Sequence, residues 1–215
     1  MIICKYRRTG AYAFIPHVDV LRVFGMAARR SRADVAFSAG YNPHMQIFLS
    51  SPMPLGTESE CEYFTAVSKD SPADFAGKLN ATLPDGFRIV RYGETDLNPA
   101  AVIVAAEYEI RLPGYDCAAL TAGVLQRETF PIEYTDKGRT VVKEVRDKIY
   151  ALEGAGDTIR ATLGYGNNNL RPDRMLNGLC GNNLTETPVI LKKKMYTMEN
   201  GRLVDADEIF FGGRQ

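Results

Sequence analysis

His17 and His44 are the only two histidines of the chain, and both fall in the first quarter of its 215 residues. Imidazole is the side chain whose ordinary pKa lets it give and take protons near neutrality, so each is a candidate general acid or base. His44 closes the loop Ser38-Ala39-Gly40-Tyr41-Asn42-Pro43-His44, from which a ring can reach a ligand or simply pin the loop. His17 stands at the start of a helical pattern, where the dipole disfavours a protonated ring, and a neutral, hydrogen-bonded or capping role is its simpler reading. No His-x3-His pair exists to put two ligands on one helix face. A metal site from His17, Asp19, His44 and Glu62 is therefore not expected. No nucleophile, base and orienting group can be assigned together, so no catalytic residue is assigned, and His44 and His17 remain the candidates.

Lys5, Arg7, Arg8, Arg22, Arg29, Arg30 and Arg32 precede position 33 against the single carboxylate Asp19, a local charge near +6. The whole chain balances 26 Lys and Arg against 26 Asp and Glu, which excludes a uniformly basic nucleic-acid binder and leaves room for a local anion surface. Tyr6 and Tyr41 offer stacking faces, and the loop offers backbone N–H groups. Cations, rings and free amides are the parts from which single-stranded RNA sites are assembled. The plainer alternative is that the arginines are the solvated face of a helix. Glu58, Glu60 and Glu62 follow closely and either neutralise the arginines or dock a basic partner.

Other chemistry is excluded more simply. Cys4, Cys61, Cys117 and Cys180 are dispersed, with no Cys-x2-Cys pair, and read as small core residues of a reducing compartment. Three grouped cysteines are lacking, so the chain is not expected to hold an iron–sulfur cluster. Neither a Walker loop nor a dinucleotide fingerprint is present, Gly164-x-Gly166 being a lone pair. Apolar runs such as that around Val102 are far short of the ~20 residues that span a bilayer, and Lys5, Arg7 and Arg8 interrupt any signal-like N-terminus. A cytoplasmic protein with no membrane contact is the expectation.

The elements that must position these residues are legible in the periodicity. Ile2 to Arg8 alternates as a strand, Thr9-Gly10 turns, and Ala11 to Ile15 reads as a short returning strand. From Val18 to Arg32 the residues Val20, Leu21, Phe24, Ala27 and Ala28 recur at helical spacing, leaving Asp19, Arg22, Met26, Arg29 and Arg30 on the other side. Strands follow at Gln46 to Ser50 and Glu60 to Val67, a helix opens at Ser71-Pro72, and Phe87 to Arg91 is another strand. Residues 93 to 101 read as a linker. Beyond it come strand Val102 to Leu112, helix Asp116 to Gln126, and strands at Phe130 to Tyr134, Val141 to Leu152 and Thr158 to Leu163. A helix at Arg171 to Leu179 and a last strand at Val189 to Tyr196 complete the pattern. Each half thus reads as strand-helix-strand-strand-helix-strand, which predicts an α+β protein of two tandem ferredoxin-like (split βαβ) domains with antiparallel sheets, over 1–92 and 102–215.

The first 65 residues carry a more specific signature. Lys5-x4-Gly10, Phe14-Ile15-Pro16-His17-Val18-Asp19, Arg22, Ala28-Arg29-Arg30, Phe37-Ser38-x-Gly40-Tyr41-Asn42-Pro43-His44 and Pro54-Leu55-Gly56-x2-Ser59-x2-Glu62-Tyr63 together resemble the radical-SAM-linked protein family. That family is an uncharacterised bacterial domain fused to, or encoded beside, a cobalamin-binding-type radical SAM protein. Pro16 stands where the family usually has Ser, and Tyr41 where it usually has Phe. The resemblance implies a radical SAM protein as partner, with the iron–sulfur cluster and S-adenosylmethionine bound there and no cofactor on this chain. The expected function is a non-catalytic RNA-binding accessory module in RNA modification or processing. Its binding residues would be Lys5, Arg22, Arg29, Arg30, Ser38, Gly40, Tyr41, Asn42 and His44. A protein-interaction adapter without RNA, and a His-dependent nuclease-like or transferase enzyme, are the alternatives; the oligomeric state is not readable.

Overall fold

In the computed structural model, which describes residues 1–212, the chain is a mixed α/β protein with mostly antiparallel strand pairing and six α-helices among the described residues. It divides into two compact units, Met1–Ile103 together with the segment from Tyr196 onward, and Val104–Met195. The last three residues of the expected 102–215 domain lie outside the described residues.

The first unit runs β1 (Ile2–Arg8), α1 (His17–Ser31), β2 (Ile47–Leu49), β3 (Thr57–Ala66), α2 (Pro72–Asn80), β4 (Phe87–Glu94) and the short α3 (Pro99–Val102). Its strands lie in the order β4-β1-β3-β2 with antiparallel neighbours, Ile2 opposite Ala66 on one side and Glu94 on the other. Strand alternation sends Ile2, Cys4, Tyr6 and Arg8 to one face and Ile3, Lys5 and Arg7 to the other. The first face meets Val20, Phe24, Ala27 and Ala28 of α1, all buried. Tyr6, Phe24, Phe64 and Phe87 form an aromatic knot there, with ring centroids 4.8 Å apart for Tyr6–Phe24 and 4.5 Å for Phe24–Phe64. Tyr6 is thereby spent on packing. Leu21, expected inward, stays exposed because it falls just outside the edge of the buried stripe of α1.

Local chemistry sets the element ends. Ser71 Oγ accepts the Asp74 N–H at 3.2 Å and Pro72 supplies a preset φ, so α2 starts where the sequence signals it. No side chain caps α1, which follows Pro16 and ends at Arg32 in the left-handed conformation. Ala11 to Ile15 forms a 3-10 turn over Gly10–Phe14 instead of a strand. The backbone bends there because Arg8 draws it back, donating to the Ile15 and Ala13 carbonyls at 3.1 and 3.4 Å.

The second unit contains β5 (Ile103–Arg111), α4 (Cys117–Thr121), β6 (Pro131–Asp136), β7 (Arg139–Glu144), β8 (Ile149–Ala155), β9 (Thr158–Gly164), α5 (Pro172–Leu179) and most of β10 (Val189–Glu199). Its sheet order is β10-β5-β9-β8, while among the described residues β6 and β7 pair only with each other. The single strand expected over Val141 to Leu152 is two, separated by a 3-10 turn at Arg146–Lys148. The expected Asp116–Gln126 helix stops at Thr121, and a second short turn of 3-10 helix follows Gly123 at φ 71°. Gly154 lets α4 lie close on β8, since a Cβ there would sit 1.9 Å from the Cys117 carbonyl oxygen.

Past Tyr196 the chain rejoins the first unit, where β11 (Arg202–Asp205) turns back on β10 and α6 (Ala206–Phe211) follows. Asp207 of α6 accepts from Lys5 Nζ at 2.8 Å, Tyr63 Oη at 2.6 Å and Arg91 Nη1 at 3.1 Å. This helix covers the second face of the β4-β1-β3 strands, with Phe210 5.1 Å from the Tyr63 ring.

Candidate functional site

The Ser38–His44 loop is stitched at its base and open at its tip. Ala36 N–H donates to Val67 O at 2.8 Å, Gln46 N–H to Ala36 O at 2.9 Å, and Ser38 N–H to His44 O at 2.9 Å. Ser38 Oγ also accepts the His44 N–H at 3.1 Å, so Ser38 ties both ends of the loop. Gly40 turns the tip at φ 118°, a conformation that side chains oppose. Beyond these bonds Tyr41, Asn42, Pro43 and His44 are exposed, and Tyr41 at 107% is as open as in an isolated peptide.

The loop grows from the cationic end of α1. Arg29 and Arg30 occupy its last turn, where the helix dipole favours cations, and both are exposed. Arg30 donates to Thr82 O at 2.7 Å, which fixes its position, while Arg22 is held by Asp19 at 2.6 Å. Ser38 is six residues past Arg32, so no more than about 20 Å separates them. Lys5 is placed elsewhere: alternation puts it on the face opposite Tyr6 and α1, beneath α6, paired with Asp207.

His17 belongs to a different setting. With Tyr6, Arg8, Ser50, Ser51 and Glu62 it lines a polar cavity of about 10 Å³, the room of a single water molecule. Arg8 and Glu62 are each only 4% exposed. Ser59 Oγ donates to Glu62 at 2.7 Å, and Arg8 Nε is buried without a hydrogen-bond partner among the described residues. Burial lowers the His17 pKa below its ordinary 6.5, the Glu62 charge opposes that, and Arg8 adds to it. The neutral ring thus sits over a space that admits water and no substrate group. His44 does not line it, so the two imidazoles do not share this pocket.

The placing of Arg8 and Glu62 around one cavity was missed in the sequence, although a signal existed. Arg8 shares parity with Ile2, Cys4 and Tyr6, and Glu62 with Phe64 and Ala66, so both point inward among apolar neighbours. The α6 anchor had a weaker one in Asp205, whose side chain caps the helix before Ile209-Phe210-Phe211. Among the described residues no cluster of three or more His, Cys, Asp or Glu side chains can hold a metal, and no helix is long and apolar enough to cross a membrane.

Fold and surface together define a mixed α/β protein in two units, one of which carries a cationic helix face and a stitched, aromatic-tipped loop. The chain belongs to the family described as "Uncharacterized protein conserved in bacteria (DUF2344)", which it matches over residues 2–172. That stretch takes in both histidines, α1 and the loop, while β10, β11 and α6 lie beyond it. The description carries no activity and no link to radical SAM proteins. No curated protein matches the chain.

Proposed function

We propose that the chain is a non-catalytic RNA-binding module that acts beside a radical SAM protein, which brings the iron–sulfur cluster and S-adenosylmethionine. In this reading each unit is ferredoxin-like. The order β4-β1-β3-β2 in one and β10-β5-β9-β8 in the other supports that, the second with the β6–β7 hairpin inserted. Phosphates meet Arg22, Arg29 and Arg30, and a base stacks on Tyr41, flanked by Gly40, Asn42 and His44.

The observation that carries the reading is the wholly exposed Tyr41 ring on a loop whose base is fixed by hydrogen bonds. A large aromatic ring held out in water has no packing role in its own unit, and an unstacked base is a partner for which a single ring suffices. A fluorescent ten-nucleotide oligouridylate titrated at several salt concentrations tests it. Three phosphate contacts give a slope of log K against log salt of about −2. A protein that leaves the oligonucleotide unbound at about 20 mM salt, or binds it with no salt dependence, overturns the reading.

A further inference from the structure

A second surface of the first unit has the opposite sign. β4 ends the order β4-β1-β3-β2, so among the described residues one side of it has no neighbouring strand. Thr95 N–H donates to Met1 O at 2.9 Å, which turns Thr95, and by alternation Gly93 and Arg91, toward β1. Tyr92 and Glu94 therefore turn their backbone N–H and C=O groups outward. At Val90 an extra residue shifts the register, since Lys5 stands opposite Arg91 and Tyr6 opposite Ile89. Ile89 is then outward too, and there the Asn80 side chain closes the edge, donating to Ile89 O at 2.9 Å and accepting from Ile89 N–H at 2.8 Å. The edge is stopped at Ile89 and open at Tyr92 and Glu94.

Beside the open stretch lies a groove of about 1310 Å³ between β4 and α6. Val90, Tyr92, Leu97 and Phe211 give it apolar surface, and Gly93 leaves room for the Phe211 ring, which a Cβ there would approach to 3.3 Å. Its carboxylates are Glu94, Asp96, Glu199 and Glu208. The one cation lining it among the described residues, Arg91, is already paired with Asp207 at 3.1 Å and lies over the Phe211 ring.

We propose that this edge and groove bind an extended segment of a partner protein in which Lys or Arg alternates with apolar residues, added to β4 as a further strand. Outward backbone groups supply the hydrogen bonds of strand addition, and alternate side chains reach the groove. Asn80 sets one limit, so the added strand is short, about five or six residues. Four carboxylates repel nucleic acid. They also oppose pairing with the same edge of a second copy, which would bring each acidic set against its twin. No residue of α1 or of the 38–44 loop takes part, so the inference stands apart from the RNA reading.

The probe is a fluorescein-labelled peptide of alternating Lys and Val, seven residues long, titrated into the whole protein, with the same peptide N-methylated at alternate positions as its partner. The unmodified peptide is expected to bind and to slow hydrogen exchange at the Tyr92 and Glu94 amides. Methylation and the Glu199→Gln, Glu208→Gln double variant are each expected to weaken binding about tenfold. Equal binding of the methylated peptide means adsorption by charge alone and overturns the proposal, as does absent binding or protection placed elsewhere. A dimer in sedimentation that protects the same amides, or an oligouridylate that does so, overturns it as well.

Discussion

Two surfaces of the first unit carry opposite charge and are built in opposite ways. On α1 and the following loop the cations are side chains standing in water, placed by single hydrogen bonds such as Arg30 to Thr82, and the backbone is engaged in the helix and in the stitching at the loop's base. Along β4 the backbone groups of Tyr92 and Glu94 face away from β1 with no strand beside them among the described residues, and carboxylates and apolar side chains line the groove together. A face of the first kind holds a charged, flexible polymer without fixing its register. One of the second kind fixes register through the strand ladder and sorts partners by side chain. The formal charge of zero is the sum of such unlike parts and describes neither.

The comparison is broken most severely at Asp207. Asp207→Ala leaves Lys5 and the Tyr63 hydroxyl without their acceptor under α6, at an expected cost of about 2–3 kcal/mol in urea unfolding. Peptide binding at the groove should fall with it while oligouridylate binding persists. The same carboxyl adds an acid sensitivity. Burial raises its pKa, but the bonds from Lys5 and Tyr63, the Lys5 charge and Arg91 outweigh burial and hold it below the ordinary 3.8. Its contribution is complete above that value and is lost as pH falls below it, so Asp207→Asn should flatten the acid limb of a stability–pH curve.

Next in size is the cationic face. Arg29→Glu with Arg30→Glu should weaken oligouridylate about 30-fold at low salt and leave the groove peptide unaffected, as fluorescence anisotropy reads both. Tyr41→Ala should weaken the oligonucleotide by about 1 kcal/mol, with Tyr41→Trp restoring it, and should leave the unfolding midpoint unchanged, since the ring packs on nothing. The smallest effect belongs to His17. Its pKa lies below 6.5 in the folded protein, so the unfolded chain takes up the proton first as the solution is acidified. Stability from this residue is complete above pH 6.5 and declines below it, and His17→Gln should remove that part of the decline.

The element order of the first unit was legible because its apolar residues keep strict period. Val20, Phe24, Ala27 and Ala28 mark α1, and Ser71-Pro72 fixes the start of α2. What misled was reading charge without parity. Seven cations before position 33 were summed as one surface, yet Arg8 is buried against backbone carbonyls and Lys5 lies under α6, each placed by its position in β1. Tyr6 was given a stacking role that the aromatic knot had already taken. In the second unit the long Val141 to Leu152 run hides a break, because nothing between Val145 and Ile149 is a Gly or Pro. The turn there is made by Glu144, whose carboxylate gathers the N–H groups of Phe130, Val145 and Arg146. Of the candidate site, the loop and the helix were readable as local patterns. The open edge of β4 was not, since an unpaired strand side is a property of the sheet and leaves no mark in the strand's own residues.

The Lys5–Asp207 bond joins partners 202 residues apart, and that separation orders the chain's assembly in time. The first unit is interrupted by the whole of the second, so when its seven leading helices and strands have left the ribosome the face bearing Lys5 and Tyr63 still lacks its helix. Closing a loop that long is slow, and contacts of such range come late in folding. Until α6 emerges, the nascent first unit shows water a half-finished sheet with an ammonium and a phenol at its centre. Those polar groups keep the waiting surface from being a purely oily one, which is the condition under which partly made domains aggregate.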